Sequence, residues 1–196
     1  GNVVANVSGV SGTSSRVFSI GPNGGIQWVS DPLSGTSNEY LDDIAGITPS
    51  GAVYMEGARS QSPFTIVRLD GATGSLVWAY DDTGATVSFV TASRGAVIGE
   101  DVVVVRRTGF GQRAIRLDAS GQLVYEVADL LSGTGVFSSS YQTDLVQPLP
   151  GGAVAVVASA PSGLGMFVVR LDAAGNRDWI LSIPDTRFGV DAALDE

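Results

Sequence analysis

Short apolar runs of strand length alternate with turns rich in Gly, Pro, Asn and Asp along the whole chain. Apolar and polar residues alternate inside many of these runs, which is typical of half-buried β-strands. The longest dense apolar run, Val102–Val105, is far shorter than the roughly 18 residues that a membrane-spanning helix needs. The pattern therefore predicts an all-β chain and no insertion into a membrane.

One stretch of this pattern recurs along the chain. FTIVRLDGATGSLVWAY (64–80), RAIRLDASGQLVYEV (113–127) and MFVVRLDAAGNRDWILSI (166–183) align, and RVFSIGPNGGIQWVS (16–30) is a degenerate fourth copy. Their corresponding positions, Gly21, Asp70, Asp118 and Asp172, are separated by 49, 48 and 54 residues. A regular period of this length is the signature of a repeat architecture.

Each copy predicts a tight hairpin between two strands. Its Asp would accept a local backbone hydrogen bond, and a Gly after it, such as Gly121 or Gly175, would supply a positive φ. An aromatic residue follows at one phase of the second strand, and we expect it to be buried between repeats. An Arg precedes Leu-Asp in three copies, where we expect it to pair with a carboxylate. The aromatic residues are Trp28, Trp78, Tyr125 and Trp179, and the arginines are Arg68, Arg116 and Arg170.

Two further strand-like runs precede each hairpin, so each repeat predicts four short antiparallel strands, here named A to D. Units of about 40–50 residues with four strands are the blades of β-propellers. The predicted fold is therefore all-β: one β-propeller domain, residues 1–196, built of four four-stranded antiparallel blades. The repeats span roughly 188–196 plus 1–30, 41–80, 86–127 and 143–183.

The first repeat lacks a strand A, because the chain opens on GNVVANVSG, which has the strand-B pattern. FGVDAALDE, residues 188–196, has the missing strand-A pattern. We therefore expect this C-terminal strand to complete the N-terminal blade and to remove two exposed sheet edges. Pairing inside one chain would close a four-bladed ring, whereas pairing between chains would produce an assembly.

At these residues the chain resembles the bacterial β-propeller repeat family and the related delta-sixty repeats. The resemblance covers nearly the whole chain and is clearest at 43–80 and 144–183. It implies a secreted, cell-surface or periplasmic bacterial protein, and it implies no particular activity. Members of such families usually have six to eight blades, so four blades are either a small ring, half of a shared ring or a piece of a longer array.

Composition excludes several functions. All 11 basic residues are Arg, His and Cys are absent, and the net charge is −9. An acidic chain repels phosphate backbones, so we expect no nucleic-acid partner. Without His, Cys and Lys there is no Ser-His-Asp or Cys-His nucleophile, no Schiff-base lysine and no zinc site of the usual ligands. Quinone-dependent dehydrogenases also use propellers with Trp-bearing repeats, but they are larger and rely on residue types that this chain lacks.

Carboxylate chemistry remains open. A glycan-acting hydrolase needs only two placed carboxylates, and Asp42, Asp43, Asp81, Asp82 and Asp185 fall in or beside predicted loops. The same acids, as the pairs Asp42 with Asp43 or Asp81 with Asp82, could bind calcium, although we expect no cofactor. An enzyme should gather two acids and an Arg around one pocket, whereas a binding scaffold should show scattered charges.

We expect a binding or scaffold module rather than an enzyme, with a protein, a polysaccharide or copies of itself as partner. The longer connections, D–A (31–41, 128–142, 184–188) and B–C (8–14, 58–63, 107–112), should all lie at one end of the blades. Loops on a rigid scaffold commonly carry recognition. The predicted binding residues at this end are Tyr40, Arg59, Arg107, Phe110, Tyr141 and Arg187.

Overall fold

The computed structural model describes fifteen strands in four consecutive antiparallel sheets, each a meander in which every strand pairs with the next along the chain. The residues described are 2–7, 15–31, 33, 40–59, 62–82, 93–108, 111–134, 141–159 and 165–184. Each sheet coincides with one predicted repeat, and we call it a blade. The predicted all-β architecture of antiparallel blades is confirmed.

Blade 1 has three described strands, which correspond to B, C and D: β1 (Val3–Val7), β2 (Arg16–Ile20) and β3 (Ile26–Val29). Blades 2, 3 and 4 have all four strands. Their bounds are β4 (Tyr40–Ile47), β5 (Val53–Arg59), β6 (Ser62–Leu69) and β7 (Leu76–Asp81); β8 (Ser93–Ile98), β9 (Asp101–Thr108), β10 (Gly111–Leu117) and β11 (Leu123–Val127); and β12 (Gln142–Pro148), β13 (Val154–Ser159), β14 (Met166–Leu171) and β15 (Arg177–Ile183). A single 3-10 turn, Pro150–Gly152, joins β12 to β13.

The predicted strand 188–196 lies outside the described residues. Its pairing with blade 1, and with it the closure of a ring, stays a prediction, as does the assignment of residues 1–196 to one domain.

The C–D hairpins form as the sequence predicts, and blade 3 shows how. The backbone N–H of Gly121 donates to the carbonyl of Asp118, and the N–H of Asp118 donates to the carbonyl of Gln122. Gly121 has φ +85°, and the register shifts between Arg116 and Leu117, so the turn ends in a β-bulge that favours glycine. The same bulge follows strand C in the other three blades.

The Asp of each hairpin caps the turn. Oδ1 of Asp118 accepts hydrogen bonds from the N–H of Ser120, 2.8 Å away, and the N–H of Gln122, 2.9 Å away. Asp172 and Asp70 accept equivalent bonds in their own turns. These bonds, with those from the Ser120, Asn176 and Thr73 side chains first among them, hold the pKa of all three carboxyls below its ordinary value. The recurrent Asp is therefore accounted for by the turn.

Blades 1, 2 and 3 each pack their forward face, which points along the chain order, against the backward face of the next blade. Three buried apolar clusters lie between blades 1 and 2, 2 and 3, and 3 and 4. Four positions make up every backward face, two on strand B and two on strand C, and all twelve residues are at most 2% exposed in blades 2, 3 and 4. They are Val53, Met55, Val67 and Leu69; Val102, Val104, Ile115 and Leu117; and Val154, Val156, Val169 and Leu171.

The recurrent aromatic residue of one blade packs on the hairpin glycine of the next. A Cβ placed on Gly74 would lie 2.4 Å from Cε3 of Trp28, and one on Gly121 would lie 2.9 Å from Cδ2 of Trp78. Tyr125 takes the same position against Gly175, where a Cβ would lie 2.6 Å from its Cγ. Glycine is therefore required both for the turn and for the close approach of the ring.

The two indoles also donate hydrogen bonds across these junctions. Nε1 of Trp28 donates to the carbonyl of Gly71 at 2.8 Å, and Nε1 of Trp78 donates to the carbonyl of Ala119 at 3.0 Å. The expectation that the aromatics lie between repeats is thus confirmed for Trp28, Trp78 and Tyr125. Trp179 departs from it, because its side chain on blade 4 is 46% exposed.

We predict that Trp28→Ala destabilises the fold far more than Trp179→Ala. Removal of Trp28, which is 8% exposed, leaves a cavity between blades 1 and 2 and should lower the free energy of unfolding by about 3–5 kcal/mol. The exposed Trp179 should cost less than about 1 kcal/mol in dilute protein. Urea unfolding followed by circular dichroism measures both, and equal losses would contradict the assignment of Trp28 to a junction core.

Candidate functional site

The described strand ends bring the B–C and D–A connections to one end of each blade, which we call the loop end. The C–D hairpins lie at the opposite end, which we call the hairpin end. Tyr40 begins strand A of blade 2, and Arg59 ends its strand B. Arg107 lies one residue before the end of strand B in blade 3, and Tyr141 directly precedes strand A of blade 4.

The backbones of these four residues therefore share the loop end of their blades. The side chains of Tyr40 and Arg59, and the whole of Phe110 and Arg187, lie outside the described residues. The grouping of the six residues into one binding surface stays a prediction.

Tyr141 is a core residue in this structure. Its side chain is 3% exposed, and its ring packs edge-on against Phe167 with 5.0 Å between ring centroids. Its backbone carbonyl accepts a hydrogen bond from Nε2 of the fully buried Gln112 in blade 3. Oε1 of Gln112 also accepts a hydrogen bond of 2.6 Å from the hydroxyl of Thr143. Tyr141 thus joins blades 3 and 4 below the loop end and does not present its ring to solvent, whereas the Arg107 side chain is half-buried.

A buried ion cluster supports the loop end between blades 2 and 3. Asp82 follows strand D of blade 2 and receives Arg106 and Arg113 from blade 3, the second at 2.9 Å. Arg113 also pairs with Glu126 at 2.8 Å. The guanidinium of Arg106 lies over the ring of Phe64, 4.9 Å from its centroid.

Burial lowers the pKa of Arg106, and the carboxylate of Asp82 acts against that shift. Asp82 is 3% exposed, so this cluster joins two blades and leaves no open face of the carboxylate to solvent. The sequence suggested Asp82 as a loop acid, and the structure instead gives it a junction role. Two arginines reach Asp82 because strands B and C of blade 3 present them side by side.

A second charged group lies in the same junction, on strands A and B. Glu56 on β5 lies opposite Asp43 on β4, and Arg94 on strand A of blade 3 donates to Oδ2 of Asp43 at 3.0 Å. Asp43 and Arg94 are about half exposed, whereas Glu56 is 1% exposed. Neither carboxyl oxygen of Glu56 has a hydrogen-bond partner in the described part of the chain.

The pKa of Glu56 is raised to about 8, first by burial and then by the charge of Asp43, whereas Arg94 and the Ser93 side chain act in the opposite direction. Glu56 is therefore protonated at neutral pH, opposite Asp43 on the neighbouring strand. Sequence reasoning missed this residue. The available signal was that blades 3 and 4 have Val105 and Val157 at the corresponding position of strand B.

This group brings together two acids and an Arg, the content that the sequence criterion assigned to an enzyme. A hydrolase needs a carboxyl group that its substrate can reach, whereas the protonated carboxyl of Glu56 is enclosed by the sheets. A general acid must reach within hydrogen-bond distance of the bond that it cleaves. The arrangement fits a pH-sensitive junction better than a catalytic pair.

The acids proposed for calcium are engaged by other groups. Asp43 binds Arg94, Asp82 binds Arg106 and Arg113, and Asp81 accepts a hydrogen bond of 2.8 Å from Thr65. The Asp42 side chain and Asp185 lie outside the described residues. Within the described ranges, no group of three or more acidic, His or Cys side chains could hold a metal ion. The same ranges contain no helix long and apolar enough to cross a bilayer.

No protein-family model and no curated protein sequence matches the chain. Solved structures do match it. A europium-containing methanol dehydrogenase aligns over 97% of this chain and 41% of its own, with a TM-score of 0.60 and 12% sequence identity. The Dos1 propeller aligns over 85% and 41%, with a TM-score of 0.52 and 9% identity.

A neuraminidase-like protein from A/bat/Guatemala/164/2009 aligns over 92% of this chain and 55% of its own, with a TM-score of 0.53 and 10% identity. The chain therefore has a β-propeller fold. At these identities the likeness extends to the fold alone. The chain spans about half the length of these structures, or less.

We predict that Asp82→Ala destabilises the protein strongly, whereas Arg94→Gln does not. The first substitution leaves the buried guanidinium of Arg106 without its anion and Arg113 with Glu126 alone, which costs about 3–5 kcal/mol of unfolding free energy. The second removes a half-exposed ion pair worth about 1 kcal/mol or less. Chemical denaturation at neutral pH measures both, and an unaffected Asp82→Ala protein would contradict the buried cluster.

We also predict that stability falls as the pH rises from about 5 to about 8, because of Glu56. Its pKa in the folded protein, about 8, exceeds the ordinary value of 4.5, so its contribution is complete below 4.5 and is lost through pH 8. The slope from this one group is about 1.4 kcal/mol per pH unit between the two pKa values.

The test compares melting temperatures of the wild type, Glu56→Gln and Glu126→Gln between pH 5 and pH 8. Glu56→Gln should remove the decline and be the most stable of the three at pH 8. Glu126→Gln, which changes a more exposed acid of the same junction, should keep the wild-type slope. A decline that persists in Glu56→Gln would assign it to another group.

Proposed function

We propose that this β-propeller chain is a secreted, cell-surface or periplasmic binding module of a bacterial protein of the β-propeller repeat family. Its ligand is a protein or a polysaccharide, bound at the loop end, and it uses no cofactor. The repeat family is proposed on the recurrent Arg-Leu-Asp hairpin, with its later Gly and aromatic residue.

One observation carries the binding function. The strand ends deliver the B–C and D–A connections to one end of the blades, on a base held by buried groups. Asp82 with its arginines fixes this base between blades 2 and 3, and Gln112 with Thr143 fixes it between blades 3 and 4. Variable loops on such a base recognise ligands without altering the fold.

Two features of the molecule influence the class of ligand. The net charge of −9 disfavours acidic polymers, nucleic acids among them. The connections at the loop end are rich in Ser, Thr and Gly, as in SGVSGTS (8–14) and SGTSNE (34–39). Small hydroxyl-bearing residues suit hydrogen bonding to a neutral, hydroxyl-rich polymer or to a polar protein surface.

A glycan-acting hydrolase is the second candidate, and the Glu56–Asp43–Arg94 group is the observation in its favour. It would need the protonated carboxyl of Glu56, now 1% exposed, to become accessible. Both candidates share a polysaccharide ligand and differ in whether the polymer is cleaved.

We predict that electrophoresis through gels containing xylan, laminarin or galactomannan retards the wild-type protein in at least one of these neutral polymers. The double variant Arg59→Ser/Arg107→Ser should bind at least tenfold more weakly, a loss of about 1.4 kcal/mol. Gln27→Ser/Gln122→Ser, altered at the hairpin end, is the matched control and should bind as the wild type does.

Equal retardation of both variants, or none in any polymer, would contradict recognition of polysaccharide at the loop end. The same mixtures show whether the polymer is cleaved. We expect no release of reducing sugar, and release that both Glu56→Gln and Asp43→Asn abolish would establish the hydrolase instead.

A further inference from the structure

Two faces of the blades are less buried in this structure than the faces at the three junctions, although they have residues of the same kind. The backward face of blade 1 has Val3, Ala5, Phe18 and Ile20 at the four positions that are at most 2% exposed in blades 2, 3 and 4. Val3 is 62% exposed, and the other three are half-buried. This face is apolar at every junction position.

The forward face of blade 4 is equally incomplete. Trp179 occupies the position of Trp28, Trp78 and Tyr125, and its side chain is 46% exposed. Leu181, two residues later on the same strand, is 51% exposed. In blade 3 the corresponding Tyr125 is 7% exposed, because the hairpin of blade 4 covers it.

The recurrent arginine is a second, independent indication that blade 4 lacks a neighbour on its forward face in the described part of the chain. Arg68 of blade 2 reaches Glu100 of blade 3 at 3.7 Å, and Nη1 of Arg116 donates to the carbonyls of Gly152 and Ala173 in blade 4 at 3.0 and 3.2 Å. The corresponding Arg170 of blade 4 instead pairs with Asp178 of its own blade. Its forward partner is missing from the described residues.

Blade 1 has a C–D hairpin of the kind on which the aromatic residue of a preceding blade packs. The N–H of Gly24 donates to the carbonyl of Gly21, and the N–H of Gly21 donates to the carbonyl of Gly25, as in the covered turns of blades 3 and 4. Gly24 has φ +80°, and no described atom lies within 4 Å of a Cβ placed on it. The carbonyl of Pro22 corresponds to that of Ala119, which accepts the indole N–H of Trp78.

We propose that the forward face of blade 4 binds the backward face of blade 1 in a second copy of this chain. Trp179 of one copy packs on the Gly24 hairpin of the other and donates its indole N–H to the Pro22 carbonyl. The contact is head-to-tail and repeats the three junctions inside the chain. Two such contacts between two copies close a ring, and a rotation that does not close would give a longer assembly.

The chemistry of the faces identifies a second copy as the occupant. Each face is complementary to the other, because the chain contains both halves of a junction that it forms three times between other blades. Within the described part of the chain, Trp179 is 46% exposed and does not pack on Gly24. This surface is separate from the loop end, so the proposal and the function proposed above can fail independently.

The test is the mass of the full chain in solution, measured by size-exclusion chromatography with light scattering over a range of concentrations. The wild type should form a dimer or a larger head-to-tail assembly. Trp179→Ala should weaken association at least tenfold, and it should remain folded because the side chain is exposed.

Gly24→Asn tests the other half of the contact. Asn tolerates the positive φ of the turn, but its Cβ occupies the space into which the ring must pack, so this variant should also be monomeric. Gly99→Asn is the matched control: Gly99 has φ +60°, an open Cβ position and no place in the proposed contact. It should associate as the wild type does.

Mixing the two monomeric variants decides whether the contact is between chains. Gly24→Asn retains Trp179 and Trp179→Ala retains Gly24, so an equimolar mixture should recover one intact contact and form mixed assemblies. A monomeric wild type, association that survives either substitution, or a mixture that stays monomeric would overturn the proposal.

Discussion

The contact of an aromatic ring with a hairpin glycine of the next blade is the interaction on which this structure depends. It requires three conditions at once. The turn must have a positive φ, its residue must lack a Cβ, and the preceding blade must have a large ring on strand D that faces this turn. Trp78 and Gly121 meet all three, and the indole N–H of Trp78 adds a hydrogen bond to the carbonyl of Ala119. Because neither blade buries this surface alone, the contact makes each blade dependent on its neighbour.

Among the described residues, the ion pairs between blades lie at the junction of blades 2 and 3. Asp82 and its two arginines lie toward the loop end, and the pair of Arg68 and Glu100 lies toward the hairpin end. Glu56 lies between these two groups, at the middle of strand B in blade 2. Buried charges add little net stability, since desolvation offsets most of their attraction. We expect these charges to fix the register of one blade against the next, and we expect Glu56 to make that contact sensitive to pH.

Residues that recur in every blade and residues that occur once have different roles here. The hairpin Gly and the aromatic residue of all four copies, and the Asp of three of them, form turns and junctions, so their recurrence requires no catalytic explanation. Glu56, Asp82 and Gln112 are each buried at one junction, and Glu56 and Gln112 have no counterpart at the corresponding positions of the other blades. Function is therefore better sought among the exposed connections of the loop end than among conspicuous repeated side chains.

The sequence by itself determined the local structure: the strands, the C–D hairpins, the Asp caps and the grouping of strands into blades. These features depend on residues close together in the chain, such as Asp118 and Gly121; the hairpin occurs four times and its Asp cap three times. The tertiary structure alone decided burial. Trp78 and Trp179 share one sequence pattern, yet only Trp78 is covered, because a following hairpin packs on it in the described structure.

The candidate site shows the same division between local sequence and packing. The order of the strands was enough to place Tyr40, Arg59, Arg107 and Tyr141 at one end of the blades. Sequence alone could not show that Tyr141 packs beneath that end, on Phe167, or that Glu56 lies enclosed with a raised pKa. Both properties arise from neighbouring strands and blades, and a side chain's exposure and charge state are set by those neighbours rather than by its position in a repeat.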